Sequence, residues 1–179
     1  TYKVGGLLFS GGKMQNQVEL TNRAQRQAKV PLMITFDGEW GLAMRLRGMP
    51  VFPRNMVLGC IRDNKLLYEY GREVARQCRQ IGVQVNFAPV ADVNINPENP
   101  VINTRSFGED PIQVLIRLSL MLPVWKAEGF YLCANIFPDM EIPMLIRIRR
   151  FRYFLSLVSV WTVWNFILLK KPSVPDWAV

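Results

Sequence analysis

The first three quarters of the chain alternate between short apolar runs and longer amphipathic stretches. The apolar runs are VGGLLFSGG from Val4, VPLMITFD from Val30, VQVNFAPVADV from Val83 and FYLCA from Phe130. Continuous apolar runs of this length, bounded by glycine or polar residues, are typical of buried strands. We therefore predict four strands whose two faces are both covered.

Helical periodicity marks the stretches between these runs. One helix is predicted over residues 15–29, a second from Asp63 to Gly82, and a third from Pro111. The predicted N-caps are Asp63 and Asp110, and Gly82 ends the second helix. Pro123 lies within the third pattern and should kink or break that helix.

The alternation of strand and helix predicts an α/β fold with a parallel sheet and crossover helices. Polar residues gather where the second and third strands end, from Asp37 to Arg45 and from Asp92 to Arg105. A (β/α)8 barrel places its active site at this end of the strands. An open doubly wound sheet does the same, so the pattern alone leaves both architectures open.

The alternation stops near residue 135. Residues 135–152 show no clean period, and residues 153–169 form an uncharged apolar segment between RRFR and KK. At about 1.5 Å per residue, this segment as a helix barely crosses a bilayer core of about 30 Å. It could be a minimal membrane span or a stretch with no selected structure.

Composition narrows the class of protein. The chain has 179 residues, a net charge of +8 and no histidine. The basic residues are scattered, so a nucleic-acid partner is not indicated. The three cysteines lack CxxC spacing, which argues against a disulfide framework and against a zinc site. They are most simply interpreted as core residues. No metal or cofactor is predicted. The chain starts at Thr1 without a signal peptide, so we expect a fragment.

Two loops carry candidate chemistry. In TFDGEWGLAMRLRG, Asp37 ends a strand and Arg45 follows within reach of the same cleft. A carboxylate and a guanidinium facing one cleft suit a ligand with several hydroxyls, although a structural ion pair at a barrel rim is the simpler interpretation. Arg105 lies in the second loop, NPVINTRSFGED, where it could also tie down its own backbone. A barrel enzyme of other chemistry, with Asp37 or Asp92 as general base, is a further alternative.

Taken together, these motifs resemble the N-terminal barrel of glycoside hydrolase family 3. TFDGEWGLAMRLRG, NFAPVADVN, NPVI and RSFGED carry the resemblance at their spacing, and it covers roughly residues 4–134. The bacterial β-N-acetylglucosaminidases are the most similar subgroup. The resemblance implies the N-terminal part of a (β/α)8 TIM-type barrel, truncated after about four strands. It also implies a carbohydrate substrate and retaining hydrolysis of a terminal β-linked N-acetylhexosamine.

The resemblance also assigns residues. The family's sugar-binding acid matches Asp37, and its sugar-binding arginines match Arg45 and Arg105. Where family members often read Glu-Gly-Gly, this chain has a tryptophan, Trp40, in the middle position, which should alter the wall of the cleft.

The family's catalytic loop is missing. In this subgroup the proton donor is a histidine paired with an aspartate, in a loop that reads Lys-His-Phe-Pro-Gly-His-Gly-Asp-Thr. The positions aligned with its Lys-His pair are Asn135 and Ile136, directly after Ala134. The chain therefore holds no catalytic residue, and we expect it to be inactive.

A single-base deletion explains this loss. Residues 135–142 can be encoded by AAC ATT TTC CCG GAC ATG GAG ATA. One added A makes the same bases read Lys-His-Phe-Pro-Gly-His-Gly-Asp, and the match continues through residue 148. We therefore predict a partial barrel over residues 1–134 and an out-of-frame tail over residues 135–179.

A membrane-anchored, non-catalytic sugar-binding protein with a span at 153–169 is the alternative. The shifted frame also turns the end of this segment into a plausible barrel helix. Because one assumption then accounts for both regions, membrane association is the less favoured interpretation.

Overall fold

The computed structural model describes residues 4–127 and 131–132, and it describes side chains as far as residue 121. These residues belong to one compact unit of the chain. The strands are β1 (Gly6–Phe9), β2 (Gly12–Lys13), β3 (Met33–Phe36), β4 (Leu46–Arg47), β5 (Val85–Asn86) and β6 (Tyr131–Leu132). A four-stranded sheet has the order β1-β3-β5-β6, and β2 pairs with β4.

Every strand pair in the described part of the chain is parallel. The α-helices are α1 (Met14–Gln27), α2 (Asn55–Gly59), α3 (Asn64–Gln80) and α4 (Pro111–Ala127). Successive strands of the four-stranded sheet are joined through α1, α3 and α4. The four predicted strands and the predicted α/β fold with crossover helices are confirmed.

Local sequence signals set the helix ends. The Asp63 carboxylate accepts a hydrogen bond from the backbone N–H of Lys65 at 2.9 Å and caps α3. The Asp110 carboxylate accepts from the N–H of Ile112 at 2.7 Å and caps α4 in the same way. Gly82 has φ = 73°, a left-handed conformation that suits glycine beyond the end of α3.

The core lies between the sheet and the two long helices. Ile34 and Phe36 of β3 are fully buried, and Val74 of α3 and Val114 of α4 are almost so. Complete burial of an aliphatic or aromatic side chain stabilises the fold by about 1.5–3 kcal/mol. This packing holds the carboxyl ends of β3 and β5 side by side.

Of the kink or break expected at Pro123, the break does not occur, because α4 continues to Ala127. Two further details of the prediction are wrong. The third strand is shorter than its apolar run, because β5 stops at Asn86. Cys60 is an exposed thiol rather than a core residue, whereas Cys78 is buried as predicted.

Several predictions fall outside the described residues. They concern Cys133, the boundary after Ala134, the tail over 135–179 and the segment 153–169. Among the residues that the structure describes, no helix is long and apolar enough to cross a membrane.

Candidate substrate-binding site

Asp37 and Arg45 lie together at the carboxyl end of β3. Asp37 directly follows the strand, and Arg45 follows a 3₁₀ turn over Leu42–Met44. Arg45 Nη2 forms an ion pair with Asp37 Oδ2, and Arg45 Nε donates to the Asp37 carbonyl at 3.3 Å. Both side chains are about one third exposed, at 27% for Asp37 and 35% for Arg45. The structure thus brings together the acid and the arginine that the sequence placed in one cleft.

The second carboxylate oxygen of Asp37, Oδ1, is buried within the protein. It accepts no hydrogen bond from any residue in the described ranges. A buried acceptor without a donor costs about 1–3 kcal/mol, more for a charged group. A ligand hydroxyl that donated to this oxygen would remove that cost.

Asn86 fixes the backbone next to Asp37. It is the last residue of β5, and its side chain is fully buried. Its Oδ1 accepts from the N–H of Gly38 at 2.9 Å, and its Nδ2 donates to the Gly38 carbonyl at 3.2 Å. One side-chain amide therefore binds both backbone polar groups of Gly38 and holds the loop after β3 against β5.

Gly41 closes the turn that carries these residues. Its N–H donates to the Gly38 carbonyl at 3.1 Å, and its φ is 97°. A Cβ at this position would come within 2.8 Å of the Phe52 ring. Only glycine fits here without strain, which explains one glycine of the motif.

Glu39 and Arg105 form a second, more buried pair. Arg105 Nε donates to Glu39 Oε2 at 2.9 Å, and Arg105 Nη2 donates to Glu39 Oε1 at 2.5 Å. The Glu39 side chain is 1% exposed and that of Arg105 is 20% exposed. The hydrogen bonds to Glu39 raise the pKa of Arg105, and the nearby charges of Asp37 and Asp92 act in the same direction. Arg105 therefore stays charged and lies close to Asp37.

Backbone contacts hold Arg105 in place. Its Nη1 donates to the Val101 carbonyl at 3.2 Å, and its own carbonyl accepts from Asn55 Nδ2 at 2.8 Å. The next residue, Ser106, is fully buried, with Oγ 2.7 Å from the Asp92 carbonyl. The tethering of the loop that the sequence suggested is present, together with the pair to Glu39.

These contacts change the picture of the two arginines. Each guanidinium already uses two nitrogens on a carboxyl-bearing residue, Arg45 on Asp37 and Arg105 on Glu39. The guanidinium groups that were expected to bind a ligand instead donate hydrogen bonds to oxygens of the protein. Of the two paired carboxylates, that of Asp37 keeps one oxygen, Oδ1, without a donor among the described residues, and it is flanked by fixed positive charge.

Sequence reasoning missed Glu39 and Asn86 as parts of the site. Glu39 follows Asp37 by two residues within one glycine-bounded turn, and a second acid there is a usable signal. Asn86 is a polar residue inside an otherwise apolar strand, which indicates a buried polar partner nearby.

Asp92 does not suit the alternative role of general base. Its residue is 2% exposed, and it has partners within the protein. A general base must come within hydrogen-bond reach of a substrate proton. Burial of Asp92 therefore favours a structural role.

Comparisons with known proteins agree with this arrangement. Residues 1–121 match the glycosyl hydrolase family 3 N terminal domain. The chain therefore belongs to glycoside hydrolase family 3, and both the resemblance and the partial TIM-type barrel are confirmed.

Individual relatives share this fold. Beta-hexosaminidase A of Pseudoalteromonas piscicida is 32% identical over 151 residues, covering 76% of this chain and 25% of the relative. Beta-hexosaminidase LpqI of Mycobacterium tuberculosis is 32% identical over 117 residues, covering 63% and 30%. The solved family 3 beta-N-acetylglucosaminidase of Paenibacillus sp. is 33% identical with a TM-score of 0.66, covering 72% and 26%. The chain spans only about a quarter to a third of these proteins.

Proposed function

We propose that this chain is the sugar-binding part of a glycoside hydrolase that removes terminal β-linked N-acetylhexosamine with retention of configuration. The names of the relatives, beta-hexosaminidase and beta-N-acetylglucosaminidase, support this substrate class. The position of Asp37 at the carboxyl end of a parallel strand supports a site at the usual face of the barrel.

One observation carries the proposal. Asp37 has a buried, unsatisfied Oδ1, while the same side chain is partly exposed. In our account Oδ1 accepts a hydrogen bond from a ring hydroxyl. Arg45 pairs with the other oxygen, Oδ2, and so fixes the direction of the carboxylate, as a charge-assisted hydrogen bond to a hydroxyl requires.

In this proposal the chain lacks the family's groups for bond cleavage. A retaining glycosidase needs a nucleophile and a proton donor, about 5–5.5 Å apart when both are carboxyls. At the positions aligned with the family's donor loop the sequence has Asn135 and Ile136, and the chain contains no histidine. Neither side chain transfers a proton near neutral pH. We therefore propose that this chain binds sugar without hydrolysing it.

We also propose that residues 1–134 form the barrel part and that residues 135–179 are its out-of-frame continuation. The family match ends at residue 121, and solved relatives cover between 72% and 78% of the chain, which supports a boundary in this region. Sequencing the coding DNA around Ala134 tests the idea. It fails if one added base does not restore the Lys-His-Phe-Pro-Gly-His-Gly-Asp loop.

Binding of N-acetylglucosamine tests the role of Asp37. We expect the unmodified chain to bind the sugar, as measured by chemical-shift changes in an NMR titration. Asp37→Asn should bind about tenfold more weakly, because a hydrogen bond to a charged group contributes about 1.5–3 kcal/mol. Asp63→Asn is the matched control, because it removes a carboxylate at the cap of α3. Equal affinity of Asp37→Asn and the unmodified chain would contradict the proposal.

A further inference from the structure

Arg54 is an exposed arginine that the structure holds in a fixed orientation. Its guanidinium carbon lies 4.7 Å from the centroid of the Trp40 ring, in a cation–π arrangement. Its Nη1 donates to Thr104 Oγ1 at 3.2 Å. Ordinary surface arginines lose rotamer freedom when they bind a ligand, whereas these two contacts have already restricted this one.

The charge of Arg54 is not neutralised within the described part of the protein. Arg45 and Arg105 each pair with a carboxylate, but among the described residues no carboxylate lies within ion-pair distance of Arg54. A cation–π contact orients the guanidinium and leaves its charge in place. One of its five N–H groups is used on Thr104. Arg54 therefore offers oriented donors and a full positive charge to solvent.

Arg54 lies across the two loops that form the sugar site. Trp40 directly follows Glu39, and Thr104 directly precedes Arg105, so each contact is one residue, about 3.8 Å along the backbone, from the buried pair. The next residue, Asn55, donates to the Arg105 carbonyl at 2.8 Å. The start of α2 thus lies against the outer side of the site, and Trp40, the departure from the family motif, is its aromatic support.

We propose that Arg54, oriented by Trp40 and Thr104, is a subsite for a carboxylate on the group attached to the bound sugar. This inference rests on the proposed function. In the proposed site the terminal sugar is held at Asp37, so the group attached to it would extend toward exposed residues beside the two loops, among them Arg54. A guanidinium donates two parallel hydrogen bonds to a carboxylate, and Arg54 has the unused donors for it. The preferred substrates would then be β-N-acetylhexosaminides with an acidic aglycone.

Two ligands that differ in one carboxylate test this subsite. We compare phenyl β-N-acetylglucosaminide with its 4-carboxyphenyl analogue by NMR titration of the full chain at low ionic strength. The acidic ligand should bind about two- to fivefold more tightly, the range that an exposed charge pair supplies. In 0.5 M salt the advantage should shrink, because the charges are screened.

Variants test whether Arg54 is responsible for the preference for the carboxylate. Arg54→Gln should bind the phenyl glycoside normally and show no preference for the carboxylate. Arg62→Gln removes another exposed arginine and should keep the preference. Trp40→Leu should retain only part of it, since the charge remains and its orientation is lost. Thermal unfolding of each variant verifies that it is folded.

Three results would overturn the inference. The first is that the unmodified chain binds both ligands with equal affinity. The second is that Arg54→Gln still prefers the ligand with the carboxylate. The third is that Arg54→Gln loses affinity for both ligands to the same extent. The third result would mean that Arg54 only stabilises the contact between the two loops. Failure of the unmodified chain to bind even the phenyl glycoside would instead contradict the proposed function, and this inference with it.

Discussion

Two glutamate–arginine pairs in this chain have nearly the same geometry and opposite surroundings. Glu39 and Arg105 are joined by two hydrogen bonds of 2.9 and 2.5 Å, and Glu73 and Arg76 by two of 2.7 and 2.6 Å. The first pair joins loops 66 residues apart and is mostly buried. The second lies on one exposed face of α3, three residues apart.

The difference shows that hydrogen-bond geometry alone does not give an ion pair its role. At the surface, water solvates both partners whether or not they meet, so the pair is worth little. In the interior the charges have lost water, and each is tolerable only because the other is there. The Glu73–Arg76 pair therefore adds a small local stabilisation, whereas the Glu39–Arg105 pair fixes the relative position of two loops.

The largest expected effect is that of Glu39→Gln. It removes the carboxylate that accepts two hydrogen bonds from the largely buried Arg105 guanidinium, and we expect a loss of about 3 kcal/mol in the free energy of unfolding, measured with urea. Glu73→Gln is the matched control, with an expected loss of about 0.5 kcal/mol or less. Similar losses in the two variants would contradict the comparison.

Asn86→Ala should come next. The buried Gly38 N–H would lose its acceptor and the Gly38 carbonyl one of its two donors, which costs about 2 kcal/mol. Binding of N-acetylglucosamine should weaken, because Asn86 no longer holds the loop of Asp37. Asn64→Ala removes an exposed amide that accepts from Arg117, and urea unfolding should show almost no change. A stable Asn86→Ala variant with normal sugar binding would refute the role of this amide.

Replacing both buried partners should cost less than replacing one. Glu39→Leu with Arg105→Met removes both charges, and we expect a net loss of about 1 kcal/mol, well below that of Glu39→Gln alone. Sugar binding should weaken, because one of the two positive charges near Asp37 is gone while Arg45 remains. Unfolding and titration of the same sample separate the two effects. A double variant less stable than Glu39→Gln would show that the pair is a net source of stability.

The smallest effect is the pH dependence of the exposed pair. The hydrogen bond from Arg76 lowers the pKa of Glu73 from 4.5 to about 2. A lowered carboxyl pKa stabilises the fold above the unfolded value, and this contribution disappears as the pH falls from about 4.5 through 2. Because the pair is exposed, the stability difference between the unmodified chain and Glu73→Gln should be small at pH 7, shrink as the pH falls toward 2 and vanish below it. A difference that grows on acidification would have the wrong sign.

The separation along the chain between interacting residues explains which contacts the sequence could predict. The caps of α3 and α4 depend on residues two positions apart, and the Asp37–Arg45 pair on residues eight apart, so local patterns were enough. The contacts of Glu39 with Arg105 and of Asn86 with Gly38 span 66 and 48 residues. They exist only because the parallel sheet brings two strand ends together, which no local pattern shows.

The length of β5 illustrates the same limit. Its apolar run continues to Val93, and a strand of that length was predicted. The neighbouring strand β3 ends at Phe36, whose carbonyl still accepts from the N–H of Phe87 at 2.8 Å. Beyond that bond the described pairing of β5 with β3 ends, and Pro89 has no backbone N–H to donate, so an apolar run alone did not make a strand.

We propose that the chain keeps the sugar-binding half of a family 3 site without its catalytic half. Mixing the purified chain with 4-nitrophenyl β-N-acetylglucosaminide, and following ligand binding by NMR and nitrophenol release by absorbance, tests both parts at once. We expect saturable binding that Asp37→Asn weakens, with no release of nitrophenol. Release of nitrophenol that Asp37→Asn abolishes would contradict this proposal, because a complete catalytic site would then lie within this chain.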